Sequence, residues 1–80
     1  MFNPYHPSVT ACPITTLLTG EYLFRIAIAP REENGLRANS EIEVDKLQAV
    51  RRERVGSRIG IVSEETMAAV DEALRRWLDL

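Results

Sequence analysis

The stretch Glu41-Ile42-Glu43-Val44-Asp45 alternates acidic and apolar residues with a period of two. Successive side chains of an extended strand point to opposite faces, so the two apolar residues share one face and the three carboxylates share the other. The pattern predicts a β-strand that is buried on one side. The acidic face has two interpretations, a metal or shared-proton site and the solvated outer surface of a sheet. The second is favoured because the sequence offers no matching set of ligands elsewhere.

Two further strands are predicted before this stretch. Residues 8–15 are rich in β-branched residues, and we expect a strand that ends near Pro13, since proline has no amide to donate to a ladder. Residues 21–29 alternate apolar residues after a loop closed by glycine, and Pro30 ends that strand. An Asn-Gly pair in the polar loop that follows predicts a turn.

One strong helix is predicted at the carboxyl end. Residues 46–54 remain open between a helical turn and a short strand, and residues 59–62 are predicted as one more strand. Ser63 is a typical N-cap, and Glu64 and Glu65 follow at the positive end of the helix dipole. Beyond them an apolar stripe runs at helical spacing, consisting of Met67, Val70, Leu74, Trp77 and Leu78.

The length and composition fit one small folded domain. The chain has 80 residues, of which 45% are hydrophobic and 28% charged, a composition that argues against disorder. We therefore predict a single domain of residues 1–80, mainly β with a C-terminal α-helix. Few short strands leave unpaired edges, which predicts either a dimer or a strand missing from the sheet.

Charge excludes a generally basic nucleic-acid binder, because the formal net charge is -2. The distribution is uneven, however. Between Lys46 and Arg58 five basic residues stand against Glu53 alone. We call residues 46–58 the basic segment; it could contact phosphates, or it could be a solvated face.

Histidine and cysteine offer little chemistry. His6 is the only histidine and lies between two prolines, so a structural role is favoured over that of a general base. Cys12 is the only cysteine, which rules out an internal disulfide and favours a small core residue in a reducing cytoplasm. The first residues lack the features of a secretion signal, and no apolar run is long enough to span a membrane.

Three strings of residues, taken in order, carry a resemblance to a known family. Residues 2–16 resemble a loop that leads into a strand ending in Pro-Ile-Thr. Residues 34–50 look like a turn, then a valine and an acidic residue before a short helical turn, and residues 55–74 are similar to a closing strand and helix. The order and spacing of these strings resemble the MazF/PemK-type toxins, which are small ribonucleases of bacterial toxin–antitoxin systems.

The resemblance implies a fold and a function. The fold is a small SH3-like barrel of the plasmid toxin type, here partly open, which usually forms a homodimer. The activity is cleavage of single-stranded RNA, mainly mRNA, at short sequences by attack of the ribose 2'-hydroxyl, with no metal and no cofactor. The implied partners are an antitoxin protein and, only within a toxin–antitoxin complex, DNA; the implied compartment is the cytoplasm, with no membrane association.

The resemblance also assigns site residues. Thr15 matches the threonine that the family places at the scissile phosphate, and Asp45 matches an acidic residue lining the same pocket. Thr16 and Lys46 are assigned with Asp45 to substrate binding, although glutamine is commoner than Lys46 at that position.

The chain departs from the family at its start. The first strand and loop of the family carry an arginine that would precede Met1, and neither Arg25 nor Arg31 matches it. Losing such a charge-assisted contact to the transition state costs several kcal/mol. We therefore expect weak or absent activity from a chain that begins at Met1. The alternative is a catalytically inactive toxin that acts as an antitoxin-binding or dimerisation module.

Overall fold

The computed structural model describes residues 7–80, so the predictions for His6 and the other residues of the start lie outside it. The described part contains short strands, three-residue 3-10 helices and one α-helix. In residues 7–80 no helix has the length and apolar character needed to cross a lipid bilayer. The strands and the helix are β1 (Ser8–Ala11), β2 (Ile14–Thr15), β3 (Arg25–Ile28), β4 (Ser40–Glu43), β5 (Gln48–Arg51) and α1 (Glu64–Leu78). The 3-10 helices are Glu32–Asn34, Val44–Lys46 and Arg52–Arg54.

The strands form two antiparallel sheets. One sheet has the order β2-β4-β3, with Ile42 opposite Ile14 on one side and opposite Ile26 on the other. The second sheet pairs β1 with β5. Within the described residues these sheets stay open and do not close into a barrel. The prediction of a mainly β, partly open fold with a C-terminal helix is confirmed.

Helix α1 covers the apolar face of the three-stranded sheet. The core consists of residues from β3, β4, the 3-10 helix Val44–Lys46 and α1, and the Val44 side chain is 0% exposed. At the end of the helix, the rings of Trp77 and Phe24 form a T-shaped pair with centroids 5.1 Å apart. The buried core residues are Ile28, Ile42, Val44, Val70 and Ala73.

The start of α1 agrees with the sequence, but its apolar stripe is covered only in part. The Ser63 hydroxyl accepts a hydrogen bond from the Thr66 amide at 3.1 Å, as expected of an N-cap. Met67, Trp77 and Leu78 remain between 44% and 49% exposed. Helix α1 packs mainly against β3 and the 3-10 helix Val44–Lys46.

Three strand predictions need correction. The strand expected at residues 8–15 is divided at Pro13 into β1 and β2, which lie in different sheets. The strand expected at residues 21–29 begins only at Arg25, because the Glu21 carboxylate accepts hydrogen bonds from the Leu23 and Phe24 amides and forms a local turn.

The strand predicted at residues 59–62 does not form. The Ile61 amide donates to the Glu33 carbonyl at 2.7 Å, but no ladder continues from this bond within the described chain. Residues 46–54, which the sequence left open, contain strand β5 between two 3-10 helices. The strand interpretation of that stretch is therefore the right one for Gln48–Arg51.

Candidate functional site

The face of the three-stranded sheet opposite the helix carries the polar residues. Thr15 pairs with Glu41, and Arg25 pairs with Glu43, across neighbouring strands. Directly opposed residues of antiparallel strands point to the same face, and so do residues two apart on one strand. The register therefore places Thr15, Glu41, Glu43 and Arg25 on one face.

A single arginine gathers the three carboxylates of this face. The Arg25 side chain is 13% exposed, and its Nη1 lies 3.1 Å from Glu43 Oε2 and 3.9 Å from Glu41 Oε1. Its Nε lies 3.3 Å from Asp45 Oδ1, and Nη2 lies 3.4 Å from Asp45 Oδ2. The hydrogen bond with Asp45, aided by the other two carboxylates, raises the pKa of the Arg25 guanidinium. We call these four residues the acidic cluster.

The acidic cluster corrects the prediction that these carboxylates lie on a solvated outer face. The Glu41 side chain is only 5% exposed and that of Glu43 only 12%. Buried charges need partners, and here a strand neighbour and a loop supply them. Three carboxylates against one guanidinium leave an excess of negative charge on this face.

Glu41 also binds the loop that follows β2, residues 16–23, which we call the 16–23 loop. Its Oε2 accepts hydrogen bonds from the Thr19 and Gly20 amides at 3.0 Å each, and its Oε1 accepts from the Thr19 hydroxyl at 3.0 Å. These bonds, with that from the Gly20 amide foremost, lower the pKa of Glu41. The carboxylate is therefore held ionised beneath the loop.

Thr15 ends strand β2 with its hydroxyl engaged on one side. The Leu17 amide donates to Thr15 Oγ1 at 3.0 Å. A hydroxyl has one proton to donate and two lone pairs. Because the amide occupies one lone pair, the O–H of Thr15 can still donate to a second group.

The other predicted site residues surround this point to different degrees. Asp45 lies in the 3-10 helix after β4, bound to Arg25, with its side chain 27% exposed. Lys46 follows it and is exposed to solvent, and so is Thr16 directly after β2. The structure thus connects Asp45 to the face that carries Thr15 through Arg25, and it leaves Thr16 and Lys46 accessible at the surface.

The two arginines that the family pattern did not match have different surroundings. Arg25 is occupied by the acidic cluster, so it is not available as a cation for a phosphate. Arg31 is 71% exposed and lies 4.0 Å from Glu33. Cys12, the other residue considered, is half-buried against the core, and its burial raises the pKa of the thiol.

The basic segment lies on the second sheet and just beyond it. An open groove of about 550 Å³ is lined by Gln48, Ala49, Val50, Arg51 and Arg54. Arg51 Nη1 lies 3.4 Å from Glu53 Oε1, and both side chains are more than 70% exposed. This surface is exposed to solvent and basic, whereas the acidic cluster is enclosed.

Sequence reasoning missed Arg25, Glu41 and Thr19 as parts of this site. A signal was present: Arg25 is the only charged residue within positions 22–29 of a predicted apolar strand, and the neighbouring predicted strand carried three carboxylates on one face. A charged residue in such a strand needs an opposite charge across the ladder. The partner of Glu41 could not be found this way, because loop amides carry no sequence pattern.

Comparison with known proteins gives one consistent result. The family described as PemK-like, MazF-like toxin of type II toxin–antitoxin systems matches residues 1–78. The chain is 37% identical over 73 residues to a probable endoribonuclease MazF of Mycolicibacterium smegmatis, covering 91% of this chain and 67% of that protein. It is 29% identical over 72 residues to endoribonuclease MazF9 of Mycobacterium tuberculosis, covering 90% of this chain and 60% of that protein.

Solved structures agree with these relatives. The Mycobacterium tuberculosis toxin MazF-mt6 matches with a TM-score of 0.83 at 28% identity, over 96% of this chain and 75% of that chain. A crystal structure of an Mtb toxin matches with a TM-score of 0.81 at 27% identity, over 92% of this chain and 78% of that chain.

Proposed function

The chain belongs to the PemK-like, MazF-like toxin family of type II toxin–antitoxin systems, and on that premise we propose that it cleaves single-stranded RNA in the cytoplasm with Thr15 at the scissile phosphate. The relatives named as MazF endoribonucleases support the reaction class. The chain spans 67% and 60% of their lengths, so the activity of the whole protein is part of the proposal.

The proposed reaction is an internal transfer at phosphorus. The 2'-hydroxyl loses its proton as the ribose 2'-oxygen attacks the adjacent phosphorus. The bond from phosphorus to the 5'-oxygen breaks, and the leaving 5'-oxygen takes up a proton. The products are a 2',3'-cyclic phosphate and a 5'-hydroxyl. Such a step needs alignment of the 2'-oxygen and a donor to the phosphate oxygens, and a threonine hydroxyl can act as that donor.

The observation that carries the proposal is the environment of the Thr15 hydroxyl. The Leu17 amide fixes the oxygen as an acceptor at 3.0 Å, which leaves its proton for a phosphate oxygen. The hydroxyl also stands at the end of a strand, where the backbone is held by its register with Glu41. A fixed donor costs less reorganisation during the reaction than a mobile one.

Charge explains why further groups are needed. The acidic cluster beside Thr15 repels a phosphate, so a cation from outside the cluster must offset it. We assign that role to Lys46, which is exposed next to Asp45. Thr16 would hydrogen-bond the RNA backbone, and the exposed part of Asp45 would accept a hydrogen bond from a base. Residues 47–58, the remainder of the basic segment, would contact more distant phosphates.

A cleavage assay with a matched threonine control tests the proposal. We expect Thr15→Ala to lower the cleavage rate about 100-fold, the scale of losing one donor to a developing oxyanion. The control is Thr10→Ala, because Thr10 is exposed on the other sheet. The 80-residue chain is mixed in excess with long single-stranded RNA and a chelator, and 5'-hydroxyl ends are counted.

Three outcomes decide the assay. Cleavage by the unchanged chain and by Thr10→Ala, but not by Thr15→Ala, supports the proposal. Equal cleavage by all three contradicts it, because the activity then comes from another protein. No cleavage by any of them at enzyme excess also contradicts it and favours the second candidate.

The second candidate is an inactive module that binds an antitoxin or a second copy of the chain. A groove of about 550 Å³ between β1 and α1 favours it, since it is lined mainly by apolar side chains that include Leu47, Met67 and Leu74. Copurification with a type II antitoxin in the absence of any RNA cleavage would support this candidate. Under either candidate the proposed partners are an antitoxin and a second copy of the chain, and DNA only through their complex.

A further inference from the structure

We propose that Glu41 is a positioning residue which, through the 16–23 loop, holds the Thr15 hydroxyl in its donating orientation; this inference rests on the proposed function. Glu41 does not face the space where RNA would bind, because its carboxylate is enclosed by the loop and Arg25. Its role is carried by contacts along the chain from residue 20 back to residue 15.

The Glu41 carboxylate anchors the 16–23 loop to the sheet. Three donors converge on the Glu41 carboxylate, namely the Thr19 amide, the Thr19 hydroxyl and the Gly20 amide. Hydrogen bonds to an ionised acceptor are about twice as strong as neutral ones. Gly20 adopts a φ of +77°, a conformation that costs other residues more, so the loop is shaped to bring both amides onto one carboxylate.

A short connection links this anchor to Thr15. Only residues 16–18 separate Thr15 from Thr19, and the amide that fixes the Thr15 hydroxyl belongs to Leu17, in the middle of them. Glu41 is also the strand partner of Thr15. The same residue therefore fixes both ends of this short connection, one through its backbone and one through its side chain.

Near Thr15 the apolar side chains of the loop do not pack against the sheet. Leu17 and Leu18 are 76% and 54% exposed, so their side chains do not hold the loop on the sheet. The far end of the loop is tied separately, where Arg76 Nη1 donates to the Leu23 carbonyl at 2.6 Å. Without Glu41 the half of the loop next to Thr15 would lose its contact with the sheet.

The test compares Glu41→Gln with Glu43→Gln in the full chain. Glu43 is the matched control because it lies two residues along the same strand and contacts Arg25 but not the loop. Amide hydrogen exchange is measured first, without RNA. We expect Glu41→Gln to speed exchange about tenfold at Thr19, Gly20 and Leu17, the scale of losing a charge-assisted hydrogen bond, and Glu43→Gln to leave these amides unchanged.

Cleavage is measured second, with and without Thr15. We expect Glu41→Gln to lower kcat about tenfold with little change in KM, and to have no further effect in a Thr15→Ala background, since the two residues act as one unit. A merely structural role would lower kcat equally in both backgrounds. That result, or unchanged amide exchange in the loop, overturns the inference.

If Glu41→Gln does not fold, Thr19→Ala removes one of the three donors and should give a smaller loss of the same kind. Exchange is read without RNA, so failure of the inference is distinguishable from failure of the cleavage proposal.

Discussion

The three carboxylates of the acidic cluster and the basic residues of the basic segment both appear in the sequence as short stretches rich in one charge. The folded structure places the two stretches in opposite environments. The carboxylates at 41, 43 and 45 are drawn around Arg25, whose side chain is 13% exposed. In the basic segment Arg51 and Glu53 form a pair whose side chains are 77% and 73% exposed. The carboxylates are largely enclosed, whereas the Arg51–Glu53 pair remains exposed on the surface.

The difference follows from strand position. Strand β4 lies in the middle of its sheet, so both its neighbours can supply partners to its side chains, and the 16–23 loop closes over Glu41. Strand β5 pairs only with β1 and has a free edge within the described part of the chain. A carboxylate on this central strand is therefore enclosed, whereas Arg51, on an edge strand, stays exposed to solvent.

The largest expected effect separates the two regions by stability. Arg25→Met leaves three carboxylates without their shared cation, and removing one partner of an enclosed charge network is strongly destabilising. Arg51→Met removes only an exposed pair and should cost less than about 1 kcal/mol. Urea unfolding of both variants is the measurement. A loss from Arg25→Met no larger than that from Arg51→Met would show that the acidic cluster is not structural.

The second effect tests how residues 59–62, which follow the basic segment, are attached. A Cβ added at Gly60 would collide with the backbone of Glu33 and Asn34, whereas one added at Gly56 meets nothing within 4 Å. We expect Gly60→Ala to lower the free energy of unfolding by about 1–3 kcal/mol, as overpacking does. Gly56→Ala is the control and should change it by less than about 0.5 kcal/mol. Equal urea midpoints for the two variants would show that this attachment is loose.

The third effect tests whether the basic segment meets phosphates. Replacing Arg54 by Gln should weaken binding of single-stranded RNA and lower the slope of log affinity against log salt by about 0.7 if one phosphate contact is lost. Fluorescence anisotropy with a 2'-deoxy oligonucleotide avoids cleavage during the titration. Arg31→Gln, an exposed arginine outside the segment, is the control. Identical salt slopes for the two variants would show that Arg54 contacts no phosphate and that the segment is a solvated surface.

The smallest effect is a pH dependence. The folded pKa of Glu41 is lowered below its unfolded value, so the carboxylate stabilises the fold above the ordinary glutamic acid pKa of about 4.3, and this contribution is lost as pH falls through the lowered pKa. Glu41→Gln should therefore have a flatter stability profile in that acidic window, with the curves of the two proteins converging at low pH. Profiles of unfolding free energy against pH that stay parallel for the two proteins across this acidic range would contradict the expectation.

The sequence predicted what depends on local patterns. Ser63 and the apolar spacing after it were enough for helix α1, and the alternation at residues 41–45 was enough for β4, which occupies Ser40–Glu43. The family resemblance identified the fold and pointed to Thr15. Its assignment of Thr15, Thr16, Asp45 and Lys46 to the site stays a prediction.

What the sequence could not predict depends on contacts between distant residues. The burial of Glu41 results from amides 21 and 22 positions away in the chain, at Gly20 and Thr19, and amides are the same in every sequence. Residues 59–62 have the composition of a strand, yet they form no ladder within residues 7–80, where the Ile61 amide donates to the Glu33 carbonyl. Strand formation requires a neighbour with matching register, and the alternation of one segment does not reveal whether that neighbour exists.

The most direct test of the central claim is an experimental structure of the chain with a short single-stranded RNA that carries a 2'-deoxy nucleotide at the scissile position. We expect a phosphate oxygen within hydrogen-bonding distance of Thr15 Oγ1, with the Leu17 amide still donating to Oγ1 and Lys46 close to the phosphate. An RNA bound only along residues 47–58, with the Thr15 hydroxyl uncovered, would contradict the proposal.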